Sequence, residues 1–149
     1  MSTGRGVRAV DAWATLLRLQ ANLVPRMDAR MRAESGMSLA WYDVLLVLTA
    51  EPGGRLRMVD LAERVVLSRT RISRVVDELV DAGLLVREPN DDDRRSWYAA
   101  ITDDGRSRQK AAAPLYVRHI ASLIGGPLTS EELKTLDALL HRLLIAAGS

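Results

Sequence analysis

Apolar residues recur at helical spacing from near the start of the chain. Val10, Trp13, Leu16 or Leu17, Leu23 or Val24, Met27 and Met31 mark one face of a first helix, in which Pro25 predicts a kink or a restart. A second helix opens at Ser38, which suits an N-cap, and closes at "EPGG", with Leu39, Val44, Leu45 and Leu48 facing inward. Arg55 to Arg57 reads as a short strand. "MVDLAERVV" reads as a short helix, and "LSRTRISRVVDELVDAG" as a longer one with Ser68 at its N-cap and Gly83 just past its end. Ile72, Val75, Val76 and Leu79 form a single apolar stripe on it. Two strands, "LLVRE" and "SWYAAIT", are joined by "PNDDDRR"; alternation assigns Trp97, Ala99 and Ile101 to the core side. Thr102 caps a long helix with Asp103 and Asp104 in its first turn, Pro114 predicts a kink in it, and Gly125-Gly126-Pro127 ends it. A Thr129-x-x-Glu132 capping box opens the last helix. That helix carries Leu133, Leu136, Leu139, Leu140, Leu143 and Leu144, an apolar surface broad enough to call for a second copy of the chain.

Two short helices joined by a tight turn, the second polar at its start and apolar along one side, describe a helix-turn-helix. Arg69, Thr70, Arg71, Ser73 and Arg74 crowd the first two turns of that second helix, and Asp77, Glu78 and Asp81 follow. The order opposes the helix dipole, which favours acids at the start. A helix that enters the major groove by its N-terminal end needs this order, because its early residues meet phosphates and base edges. The competing explanation is i,i+4 surface pairing, such as Arg74 with Glu78.

A hairpin directly after a helix-turn-helix makes a winged helix, with "PNDDDRR" as the wing. Asp91 and Asp92 suit its turn. Asp93 and Arg95 stand two apart, so in an extended segment the carboxylate could hold the guanidinium toward a minor groove. The competing explanation is a solvated loop with a screened ion pair.

Composition narrows the chemistry. The 149 residues suit one domain, and 48% hydrophobic with 27% charged content suits a folded chain. With no Phe, its core must be mostly Leu, Val, Ala, Ile and Met. The absence of Cys removes disulfides, thiolate metal sites, thiol nucleophiles and cysteine-based peroxide sensing. His119 and His141 stand apart from acids at ligand spacing, so no metal is expected, and nothing calls for a cofactor. The triple Asp abuts Arg94 and Arg95, which oppose cation binding; without a Gly-rich phosphate loop or a nucleophile constellation, no enzyme is expected. No apolar run reaches membrane-spanning length and the start lacks a signal-peptide core, so a cytoplasmic protein is expected. Net charge is only +2, but every cation except Lys110 and Lys134 is arginine. Either a preference for bidentate phosphate and base contacts or a codon bias toward Arg accounts for that.

These segments together resemble the multiple-antibiotic-resistance regulator (MarR) family of bacterial winged-helix transcription factors. The resemblance spans nearly the whole chain, through "MSLAWYDVLLVL", "DLAERVVLSRTRISRVVDELVDAGLLVRE" and a wing signature of Asp-x-Arg running into Leu-Thr-x-x-Gly. Here that signature reads Asp93-Arg94-Arg95, then Ile101-Thr102 and Gly105, with Ile101 in place of the usual Leu. Val66 stands in the turn where many relatives have Gly. The fold implied is mostly α with a small β wing, a winged helix-turn-helix over 38–101 flanked by dimerisation helices over 7–34 and 103–147 of a single 1–149 chain. The function implied is a sequence-specific regulator, often a repressor, that binds a palindromic operator as a homodimer and responds to a small aromatic or anionic ligand. By position, Ser68, Arg69, Thr70, Arg71, Ser73 and Arg74 take the recognition role, Asp93 with Arg95 the wing role, and Arg94 a phosphate. Val10 with Leu136, Leu139, Leu140, Leu143 and Leu144 would meet the second copy. Effector candidates are Trp13, Arg18, Trp41, Tyr42, Tyr116 and His119; Trp13, Trp41 and Tyr42 also suit core or interface positions. The alternatives are a winged helix that binds protein and a DNA-binding regulator that needs no ligand.

Overall fold

The computed structural model describes residues 2–65, 67 and 69–148. The elements follow the order α1 (Ser2–Ser35), α2 (Leu39–Ala50), β1 (Arg55–Arg57), α3 (Met58–Arg64), α4 (Arg69–Asp81), β2 (Leu85–Pro89), β3 (Trp97–Ile101), α5 (Asp103–Ile120) and α6 (Ser130–Ala146). A 3₁₀ turn over Pro52–Gly54 precedes β1, and a π-helical segment over Ala121–Gly125 follows α5. The result is a mostly helical chain with a small antiparallel sheet, the winged helix-turn-helix expected from the pattern. The Ser68 cap and the Val66 turn lie outside the described residues.

Two compact units divide the chain, one over 24–115 and one over 1–23 with 116–149. In the first, the strands are ordered β1-β3-β2, both pairs antiparallel, with Leu85 opposite Ile101 and Pro89 opposite Trp97. Leu61 of α3, Ile72, Val75, Val76 and Leu79 of α4, Leu85 of β2 and Ala99 of β3 close a core with Val44, Leu45 and Leu48 of α2. Met27, Met31 and Met37 are also buried, and these unbranched side chains fill space that Phe would fill elsewhere. In the other unit no residue of α6 is buried, and Leu143 keeps 62% of its surface exposed.

The caps are formed as expected. The Ser38 hydroxyl accepts the Trp41 amide at 3.1 Å, and Thr129 and Glu132 complete a reciprocal capping box. At the joint between the hairpin and α5, Thr102 Oγ donates to the Gly83 carbonyl at 2.8 Å and accepts the Gly105 amide at 3.0 Å. Its own amide donates to the Leu84 carbonyl at 3.1 Å. Gly83, at φ 76°, takes the left-handed turn that ends α4.

Three expectations need correction. Of the kink or restart expected at Pro25, the restart does not occur: α1 runs through its proline, as α5 runs through Pro114. A proline removes one backbone bond, here to the carbonyl of Ala21 or Lys110, and the remaining bonds of a long helix carry it past. Trp97, assigned to the core side, is not buried there: it is 45% exposed. Alternation correctly gives its face, but that face is covered only as far out as Ala99. Asp93 and Arg95 do not lie in an extended segment, because residues 91–95 form turns.

Asp43 of α2 is half-buried, and burial pushes its carboxyl up from 3.8 to about 6. A folded-state pKa above the unfolded one means the native state holds a proton that the unfolded state gives up. The resulting cost is absent below about pH 3.8, grows as pH rises, and is complete above about 6. Asp43→Asn is therefore expected to stabilise the fold at pH 8 by on the order of 1 kcal/mol, the linkage value being discounted for solvent screening of this partly exposed group. At pH 4 the two proteins should melt together. Equal melting temperatures at pH 8 would remove Asp43 as a source of pH dependence.

Candidate nucleic-acid interface

Helix α4 turns its stripe of Ile72, Val75, Val76 and Leu79 into the core, which leaves Thr70, Arg71 and Arg74 facing solvent. Ser73 is half-buried between the two faces. Arg69 is the first residue of the helix. Before it, the Leu67 amide donates to the Ala62 carbonyl at 3.2 Å.

Of the acids that follow on α4, Asp77 and Glu78 are held by the body of the unit, while Asp81 at the end of the helix is exposed. Trp41 Nε1 donates to Glu78 Oε2 at 2.7 Å, and Arg87 of β2 pairs with Asp77. Arg74 forms no ion pair among the described residues, so the i,i+4 pairing that would make the charge order a surface device is not made. Arg71 carries its charge within reach of Asp28 on α1. Burial pushes the Asp28 carboxyl up, but hydrogen bonds from Arg32 and the Leu39 amide, with the charges of Arg32 and Arg71, outweigh it and hold the carboxyl below its ordinary value. The outward face of α4 thus begins cationic, and the two acids that come next, Asp77 and Glu78, are already engaged.

The wing takes its shape from the residues the pattern predicts together with one it does not single out, Asn90. Asp91 and Asp92 are the central residues of the turn, as expected, and Asn90 closes it: its Oδ1 accepts the Asp92 amide at 3.1 Å, while its Nδ2 donates to Ser96 Oγ at 2.8 Å. Its carbonyl accepts the Asp93 amide at 3.2 Å. Asp93 repeats the arrangement, since its Oδ1 accepts the backbone N–H of Arg95 at 3.0 Å and its carbonyl accepts the Ser96 amide at 3.0 Å. Asp93 therefore orders Arg95 through the main chain, not through the guanidinium. The side chains of Arg94 and Arg95 are exposed and form no ion pair among the described residues. At the base of the wing, Arg55 lies 4.6 Å over the Tyr98 ring and reaches Glu88 at 3.0 Å, tying together all three strands. Asn90, Arg55 and Glu88 were missed from the sequence, although Asn immediately before a run of Asp is a turn signal.

The loss of one side-chain acceptor checks the wing. Asp93→Ala should weaken DNA binding by roughly 1 kcal/mol, although it removes a negative charge, because the Arg95 amide loses its partner. Asp93→Asn keeps an acceptor and should bind at least as well as the parent. Tighter binding by the alanine variant in a titration would reduce Asp93 to a solvated charge.

The effector candidates are spread through both units. On α2, Trp41 points to α4, whereas Tyr42 is 1% exposed in the core and its hydroxyl accepts the Gln109 amide at 3.3 Å. Trp13 and Arg18 are exposed, Tyr116 is half-buried and His119 is buried. Among the described residues, no three His, Cys, Asp or Glu side chains gather as a metal site would require, and no helix is long and apolar enough to cross a membrane.

A family model described as the MarR family matches residues 35–96, the span from the end of α1 through the wing. The uncharacterised HTH-type transcriptional regulator YkoM of Bacillus subtilis is 30% identical over 119 residues, 80% of this chain and 75% of its own. The chain belongs to the MarR family. Its structure superimposes on AbsC, a MarR family transcriptional regulator from Streptomyces coelicolor, with a TM-score of 0.80 at 28% identity and 91% coverage of both chains. Sco3205 from the same organism, a MarR regulator solved in complex with DNA, gives a TM-score of 0.81 at 28% identity, covering 92% of this chain and 84% of its own. This MarR chain is a DNA-binding transcriptional regulator, and the names of these relatives are those of regulators, not enzymes.

Proposed function

We propose that the chain is a homodimeric repressor of a palindromic operator, with α4 of each copy in a major groove and each wing in the flanking minor groove. The observation that carries this reading is the face of α4. Thr70, Arg71 and Arg74 are presented to solvent while Asp77 and Glu78 are engaged by Arg87 and Trp41. Cations at the entering end suit phosphates and guanine edges, and acids tied to the body keep repulsion away from the backbone. Ser68, Arg69 and Ser73 complete the recognition set by position, and Arg94, Arg95 and Asp93 make up the wing set. The DNA complex of Sco3205 supports this surface by likeness of fold and sequence.

The homodimer is supported by Val10, Leu139, Leu140, Leu143 and Leu144, which are exposed in the single chain, while Leu136 is half-buried. Relief by a small aromatic or anionic ligand rests on the family resemblance, with Trp13, Arg18, Trp41, Tyr42, Tyr116 and His119 as the residues to vary. The test is a footprint of the purified protein on the DNA upstream of its own gene, with and without aromatic acids. Two protected half-sites spaced by about one helical turn, lost on raising salt with a log–log slope of several, are expected. Failure to protect any duplex at low salt would overturn the reading.

A further inference from the structure

Trp97 stands where the inner face of the sheet runs past the body that covers it. Paired residues of an antiparallel sheet share a face, so Trp97 and Pro89 lie on the same side as the buried Leu85 and Ala99. Arg87, on that face too, pairs with Asp77 of α4, which identifies it as the side of the recognition helix. Two positions farther out, the indole has lost its cover and is 45% exposed. Beside it a groove of about 340 Å³ is lined by Pro89, Asn90, Asp91, Arg94, Ser96 and Trp97. The groove thus combines a large aromatic surface with the side chain of Arg94, which has no ion pair among the described residues.

We infer that Trp97 is a DNA-contact residue whose ring packs on the sugar edge of the minor groove beside the wing, while Arg94 meets the neighbouring phosphate. The inference rests on the proposed reading of α4 and the wing as the DNA-binding surface. Deoxyribose and phosphate alternate along that edge, one presenting C–H faces and the other negative charge. A groove that offers an indole and a cation side by side matches both surfaces. An apolar protein surface would have no use for Arg94, and a free anion none for the indole. The indole N–H adds a donor within reach of a phosphate oxygen.

The experiment uses the full chain labelled with 5-fluorotryptophan, whose three resonances are assigned by replacing Trp13, Trp41 and Trp97 singly with Phe. The probe is the upstream duplex found by footprinting, and a mixed-sequence duplex at low salt if none is found. On forming the complex, the Trp97 resonance should move and lose its shift between H₂O and D₂O. Trp97→Ala should weaken binding roughly five- to twentyfold, with the salt slope and melting temperature unchanged, and Trp97→Phe should retain most of the affinity. Arg94→Ala should instead lower the salt slope by about one. A complex that forms while the Trp97 resonance and the Trp97→Ala affinity stay put overturns the inference and leaves the DNA-binding reading standing. If no duplex binds at all, both fall. A drop in melting temperature for Trp97→Ala, or a Trp97 resonance that moves with protein concentration alone, would assign the residue to folding or self-contact and overturn the inference equally.

Discussion

Changing Leu139 and Leu143 together to glutamine is expected to turn the proposed dimer into monomers and to lower operator affinity by roughly 100-fold or more. Both side chains are exposed on α6, a helix with no buried residue, and Leu140 and Leu144 extend the same apolar surface. Water would not leave so much hydrocarbon bare if a second copy could cover it. Glutamine is chosen because its helix propensity is close to that of leucine, so α6 should persist while its adhesion is lost. The loss in DNA affinity follows from bivalency: a monomer reaches one half-site, and the linked second binding event disappears. Sedimentation at micromolar concentration and an operator titration read the two effects separately. A monomer that kept full affinity would refute the bivalent arrangement, and a dimer that survived both substitutions would move the interface off this stripe.

The second large effect is expected from a single methyl group. A Cβ on Gly105 would lie 2.2 Å from the Leu84 carbonyl oxygen and 2.8 Å from Ile101 Cγ1. That oxygen already accepts the Thr102 amide at 3.1 Å, so the backbone cannot retreat without giving up a bond. Alanine would gain about 1 kcal/mol of helix propensity over glycine. The clash with buried main chain should cost more, leaving a net loss of about 2–4 kcal/mol. Gly6→Ala makes the same gain in α1 with nothing within 4 Å, and serves as the control. If Gly105→Ala melts no lower than the parent, the α4–β2 turn is far more yielding than its hydrogen bonds imply.

That glycine also shows what a sequence can and cannot disclose. The spacing Thr102-x-x-Gly105 was recognisable as a family signature, but its cause is a close approach of α5 to the Leu84 carbonyl. Caps and apolar stripes were legible because they depend on neighbours three or four residues away: Ser38, Thr102, the Thr129–Glu132 box and the α4 stripe all fall where periodicity puts them. The Trp41–Glu78 bond joins residues 37 apart and depends on how two helices pack, which no local pattern reports. Trp97 falls between these cases. Alternation gives the face of a strand but not where along the strand the cover stops. In the wing, the run of three aspartates marks the turn, but its closure depends on Asn90, whose amide both accepts and donates and so holds the loop from each side.

The wing's hydrogen bonds carry a consequence for how such a regulator diversifies. Asn90, Asp93 and Ser96 hold the loop, while the side chains of Asp91, Asp92 and Arg94 project outward and take no part in that bonding. Shape and charge are thus encoded at different positions. A lineage can drift through acidic, neutral and basic wing tips, trading one set of flanking DNA for another, without passing through a misfolded ancestor.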